Sequence, residues 1–127
     1  MKNKIFLLKD LSKIIQKEKN KAKVIVHCHG VFDLLHIGHI KHLEKAKKLG
    51  DKLVVTLTAD KHVNKGPERP IFNQALRADA IAALNAVDYV AINETPTAIN
   101  PIKILKPNIY CKGTDYKNFK DDITGEI

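Results

Sequence analysis

The sequence predicts an α/β domain built on a parallel sheet with helices on both faces. Short β-branched runs alternate with helix-period segments along the whole chain. The runs are apolar along most of their length, as strands covered on both faces are. Polar, glycine-bearing segments follow the strand ends, where sheets of this kind bind ligands.

The elements follow in order. Leu7, Leu8, Leu11, Ile14 and Ile15 recur at helical spacing ahead of the Lys-rich 17–23 stretch. They predict a basic amphipathic helix within residues 1–22, and residues 23–127 form the domain proper. Val24-Ile25-Val26, β-branched and bounded by charge, marks a first strand over about 23–28. Ile40, Leu43, Ala46 and Leu49 set a helix over 37–49 that stops at Gly50-Asp51. Lys52–Thr58 is the second strand. Lys65-Gly66-Pro67-Glu68-Arg69-Pro70 forbids one continuous helix over 59–72. Asn73 caps a helix carrying Leu76, Ala80, Ile81 and Leu84. Tyr89–Ile92 is the third strand. Thr95-Pro96 opens a helical segment to Leu105, with Pro101 arguing for a break or restart near Asn100. Ile109-Tyr110-Cys111 is the fourth strand, and Lys112–Tyr116 is the loop at its carboxyl end.

Composition narrows the function classes. The 127 residues suffice for one domain with a core and not for two. No apolar run is long enough to span a bilayer, and Ile5-Phe6-Leu7-Leu8 is too short for a signal-peptide core. Cys28 and Cys111 fit neither a disulfide framework nor a zinc-finger spacing, which predicts free thiols in a reducing cytoplasm. The net charge of +8 is concentrated at the start. Residues 1–23 hold eight lysines against Asp10 and Glu18, a local +6 that leaves +2 for the other 104 residues. A solvated helix face explains that better than a nucleic-acid site, and no aromatic RNA-binding pattern accompanies it. Twenty lysines stand against two arginines. If Lys replaces Arg wherever either serves, Arg69 and Arg77 mark places that need a planar, bidentate donor.

The chemistry concentrates in Gly30-Val31-Phe32-Asp33-Leu34-Leu35-His36-Ile37-Gly38-His39. Its His-x-Gly-His lies where a strand ends and a helix begins. Open helix N–H groups and the positive dipole end favour phosphate there. Two imidazoles beside those amides can steady a phosphate whose charge rearranges during reaction.

Gly30-Val31-Phe32-Asp33-x-x-His36-x-Gly38-His39 resembles the signature of the cytidylyltransferase-like nucleotidyltransferases, related in fold to class I aminoacyl-tRNA synthetases. The likeness runs on through Ala46-Lys47-x-Leu49-Gly50-Asp51, Arg77 and Ala86-Val87-Asp88-Tyr89-Val90, covering roughly residues 23–116. Two branches compete. Lys112-Gly113-x-Asp115-Tyr116 and the N-terminal helix look like the adenylyltransferase domain of bifunctional heptose-phosphate enzymes, which join it to a sugar kinase. The early motif also resembles glycerol-3-phosphate cytidylyltransferases, but Asn85 stands where that branch usually has arginine.

The resemblance implies a Rossmann-like, five-stranded fold. It implies transfer of a nucleoside monophosphate from ATP or CTP to a sugar or polyol phosphate, with Mg2+ and release of pyrophosphate. A homodimer follows from it, while the composition adds the expectation of a cytoplasmic setting with no nucleic-acid or membrane partner. His36 and His39 would stabilise the transition state, with Lys65 as a third catalytic group. Gly30, Val31, Phe32, Asp33, Gly38, Arg77, Lys112, Gly113 and Asp115 would complete the nucleotide site. The family's C-terminal Ser/Thr-rich motif is not found before Thr124-Gly125-Glu126-Ile127. A nucleotide-binding module without turnover is the rival from another class.

Plainer readings stand beside these. Asp33 either helps hold the metal or fixes the loop by accepting backbone amides, the second being favoured. His42 is expected on the helix surface, and His27 as a satisfied core histidine. His29 could reach the nucleotide. Zinc is not expected, because the histidine spacings match no closed zinc site. Cys111 is expected as a buried strand residue, and Lys41, Lys45 and Lys48 as a solvated face. Lys112–Asp115 is either a turn or a nucleotide contact, and Tyr116 either stacks on a base or packs in the core.

Overall fold

The structure, a computed structural model, describes residues 2–63 and 70–112. Helix α1 spans Leu8–Asn20, α2 Ile37–Lys47, α3 Gln74–Ala82 and α4 Ile99–Leu105. Strand β1 spans Ile25–Gly30, β2 Lys52–Thr58, β3 Tyr89–Asn93 and β4 Ile109–Cys111. The strands form one parallel sheet in the order β3-β2-β1-β4. Of the five strands that the resemblance implies, four lie within the described residues.

The alternation of the strands explains the two cores. Val26, Cys28, Leu53, Val55, Leu57 and Val90 point to the face covered by α2 and α3, against Leu43, Ala46, Ala78 and Ile81. Ile25, Val54 and Ala91 point to the other face, against Leu11 and Ile15 of α1 and Leu105 of α4. The lysines of α1 take the solvent side, with Lys9, Lys13 and Lys17 exposed. None of the described helices is long and apolar enough to cross a membrane.

Side chains at the strand starts lock the sheet. The Asp51 carboxylate accepts the Val24 N–H at 2.7 Å. A Cβ on Gly50 would lie 2.8 Å from the Val24 carbonyl oxygen, so only glycine lets the two backbones meet there. Asp88 accepts both the Leu53 N–H, at 2.8 Å, and the Lys47 ammonium, at 2.6 Å. Backbone bonds Ile5–Val90 and Phe6–Val90 lay the N-terminal residues along β3, the edge strand.

Three boundaries differ from expectation. β1 begins at Ile25 and runs to Gly30, because a turn with Ala22 at φ 64° precedes it. α2 ends at Lys47, and Leu49 is half exposed in the turn that follows. Thr95-Pro96 does not open α4. Asn93 accepts from the Thr95 N–H and hydroxyl and donates to the Thr97 carbonyl, holding 93–97 as a bend. The helix starts at Ile99, so Pro101 falls in its first turn, where its missing N–H costs nothing, and causes no break.

Candidate active site

Strand β1 lies beside β4 on one flank and β2 on the other, and the chain changes direction across the sheet there. That is the topological switch point where such sheets bind ligands. The loop leaving β1 carries Val31, Phe32 and Asp33 into α2. Phe32 adopts φ 52°, a left-handed conformation that is costly for a side chain with a Cβ. Neighbouring contacts enforce it. Both Asp33 carboxylate oxygens accept the Ile71 N–H, and one also accepts the Phe72 N–H, at 2.9–3.0 Å. The Phe32 ring is buried against Leu43 and stands edge-on to His39 at 5.5 Å.

His36 is the N-cap of α2. Its Nδ1 accepts the Gly38 N–H at 3.0 Å, and His39 Nδ1 accepts the His36 N–H at 3.2 Å. An imidazole nitrogen that accepts has no proton of its own. Both rings are therefore Nε2–H tautomers, so both have a ring donor. The rings lie 4.0 Å apart at the amino end of the helix, adding two N–H groups to its dipole. A Cβ on residue 38 would come within 2.8 Å of His36 Cε1, so Gly38 is what lets the ring fold back onto the cap.

Arg77 is not where a direct nucleotide contact needs it. It is 1% exposed, beneath the loop. Nε donates to Phe72 O, Nη1 to Val31 O and Thr58 O, and Nη2 to the Asp60 carboxylate at 2.6 Å. The planar donor is used, but on the protein's own loops: it ties the end of β1 to the end of β2. Asp33 likewise spends its oxygens on amides, in agreement with the favoured reading.

A polar patch borders the loop on the sheet face shared with α1. His27 Nε2 and His29 Nδ1 each lie 2.8 Å from Thr56 Oγ1, and His29 Nε2 lies 3.3 Å from Thr58 Oγ1. Burial pushes the His27 imidazole down to about 3, aided by the charge of His29. Burial pushes His29 down to about 4, opposed by its hydrogen bonding to the Thr56 backbone, which favours the protonated ring. His27 is only half satisfied, since its buried Nδ1 has no partner among the described residues. Thr56 and Thr58 escaped the sequence analysis. Their i, i+2 spacing on β2 matches that of His27 and His29 on β1, a period-two signal that pairs them once the register is known.

His42 is buried, not on the surface: α2 turns it toward β1, with Nε2 4.0 Å from Cys28 Sγ. Burial and nearby His39 and Lys45 lower its pKa. Cys28 and Cys111 are register partners and buried free thiols. A hydrogen bond with Cys111, together with burial, pushes the Cys28 thiol up, away from nucleophile chemistry. Exposed Lys41 and Lys45 flank a groove of about 250 Å³ with Gly38 and His42. A larger groove of about 630 Å³, between residues 5–9 and the end of β3, shares no residue with the histidine motif. Lys112, at the end of β4, is half-buried. Lys65, Arg69, Gly113, Asp115 and Tyr116 lie outside the described residues.

Among the described residues no three His, Cys, Asp or Glu side chains converge on a metal position. The carboxylates nearest the motif are engaged, Asp33 by amides and Asp60 by Arg77. These residues do not form a magnesium site of their own.

The cytidylyltransferase-like family model matches residues 27–126. The chain belongs to the cytidylyltransferase-like family. As a cytidylyltransferase-like domain it is similar to proteins named bifunctional protein HldE. The one from a Nitratiruptor species is 50% identical over 128 residues, covering 94% of this chain and 28% of that protein. The one from Geobacter metallireducens is 47% identical over 115 residues, covering 89% and 24%. This cytidylyltransferase-like chain thus spans about a quarter of the length of such relatives. A solved structure, the lipopolysaccharide core biosynthesis protein from Thermoplasma volcanium GSS1, is 33% identical with a TM-score of 0.70. The match covers 83% of this chain and 86% of that one. The α/β fold and the family expected from the motif are both borne out.

Proposed function

We propose that the chain transfers a nucleoside monophosphate from a nucleoside triphosphate to a sugar phosphate, releasing pyrophosphate, and that the pair is ATP and a heptose phosphate. The paired Nε2–H tautomers of His36 and His39 at the start of α2 carry the reading. An oxygen of the acceptor phosphate attacks the α-phosphorus in line. The bond from that phosphorus to the bridging oxygen breaks, and pyrophosphate leaves. No covalent intermediate on the protein is needed, so positioning and charge stabilisation do the catalysis. The two imidazole donors, at the positive end of the α2 dipole, face the charge that builds on the triphosphate. Magnesium enters as part of the metal–nucleotide substrate.

Lys65, Lys112, Gly113 and Asp115 are proposed as further walls of the nucleotide site. Arg77 and Asp33 serve it indirectly by holding the loop of Val31 and Phe32. The similarity to HldE proteins supports the heptose-type acceptor, and the word bifunctional in their name supports a second activity elsewhere in proteins of that length. A homodimer and a cytoplasmic setting complete the proposal.

The test offers ATP or CTP with magnesium to the protein, adding a panel of sugar and polyol phosphates, and measures pyrophosphate. Release with ATP and a heptose phosphate is expected. Nucleotide binding without release from any pair overturns the enzymatic reading, and release with CTP and glycerol 3-phosphate overturns the substrate assignment.

A further inference from the structure

Four side chains on one sheet face form an unbranched chain of hydrogen bonds: His27, Thr56, His29 and Thr58. Its middle member decides how it can run. Thr56 is fully buried, and among the described residues its hydroxyl meets only the two imidazoles. A hydroxyl has one hydrogen, so Thr56 donates to one ring and accepts from the other. Two directions remain. If Thr56 donates to His27, then His27 Nδ1 carries a hydrogen in the core with no acceptor among the described residues. If Thr56 donates to His29, His27 Nδ1 is a bare lone pair. A buried N–H without an acceptor is the rarer of these failures. The second direction therefore holds: His27 Nε2–H donates to Thr56, Thr56 to His29 Nδ1, and His29 Nε2–H to Thr58 Oγ1. Burial keeps both rings neutral, as this order requires.

At the far end, Thr58 accepts from His29, and its own hydrogen meets no acceptor among the described residues. Thr58 is the last residue of β2, at the carboxyl edge of the sheet. Its carbonyl shares Arg77 Nη1 with the Val31 carbonyl, which sets it beside the motif loop. We infer that Thr58 is an acceptor-binding residue, its hydroxyl donating to an oxygen of the sugar phosphate, with His27, Thr56 and His29 as the positioning residues that aim it. This rests on the transferase reading above.

Two measurements test it on the intact protein. Nitrogen-15 NMR of the ligand-free protein should show His27 and His29 both as Nε2–H tautomers; an Nδ1–H signal from either overturns the direction of the chain. With ATP, magnesium and heptose phosphate, Thr58→Val should raise KM for the heptose phosphate about tenfold and leave KM for ATP unchanged. Thr58→Ser, which restores the hydroxyl, should return KM to within about threefold of the wild type. An unchanged acceptor KM in Thr58→Val, or no rescue by Thr58→Ser, overturns the acceptor role while the transferase reading stands. A wild type that releases no pyrophosphate overturns the transferase reading itself, and the acceptor role of Thr58 falls with it.

Discussion

At His36 and His39 the helix cap and the chemistry share a ring: Nδ1 takes a backbone N–H, and Nε2 carries the proton. Substitutions separate the two roles. His36→Ala and His39→Ala should each lower the rate of pyrophosphate release by about a hundred- to a thousandfold, the loss expected for one donor at a site of developing charge. His36→Asn keeps a capping oxygen, so it should hold the melting temperature near wild type while turnover still falls. His27 and His29 set a different kind of limit. Both are pushed below the ordinary histidine value, to about 3 and about 4. Between about pH 6.5 and those values the unfolded chain binds protons that the folded one refuses. Stability is thus full above about pH 6.5 and falls as pH drops, by about 1.4 kcal/mol per pH unit for each histidine. Urea unfolding at pH 7, 6 and 5 should show this slope, and His29→Gln should flatten it.

The loop after β1 depends on α3 and its approach. Asn73 caps α3 through the Leu76 N–H at 2.9 Å, and Asn73→Ala should cost about 1 kcal/mol in urea unfolding. α3 buries Arg77, Ala78, Ile81 and Ala82, while Leu76, expected from the apolar pattern to help carry the helix, is 52% exposed. Arg77 lies on the buried side because the ends of two strands and the Phe72 carbonyl need one planar donor with several N–H groups. Lysine cannot span them. Arg77→Lys should lower stability by about 3 kcal/mol, leaving buried carbonyls without their partners, and should raise KM for ATP because Val31 and Phe32 lose their anchor. Calorimetry and pyrophosphate kinetics on the same preparation check both halves.

Across the whole molecule, the sheet order puts β1 at the centre of the described sheet, so its loop opens at the switch point with a core on each side. The α1 face of that core is small, resting on Leu11, Ile15, Ile25, Val54, Ala91 and Leu105. Leu11→Ala should cost about 2–5 kcal/mol in chemical denaturation, showing the basic N-terminal helix to be a structural part of the fold. Much of this was legible in the sequence. Lys52–Thr58 reads as a strand because its apolar run has no turn signal inside it, and β2 has those bounds. The histidine motif reads as a strand-to-helix junction because a β-branched apolar run gives way there to period 3.6. Segments of the family likeness around Lys47, Gly50-Asp51 and Asp88 turn out to be clamps between backbone and side chain, a role that no one-dimensional spacing distinguishes from ligand binding. Local pattern thus determined the α/β class, the strand and helix order and the place of the two histidines, because these follow from hydrophobic period, caps and turn residues. Only the tertiary structure decided that Arg77 and His42 face inward, that Pro101 falls in a first turn, and that two threonines of β2 meet two histidines of β1. Those outcomes depend on register between strands and on which carbonyls the fold leaves unpaired, and neither is written in the order of residues along one segment.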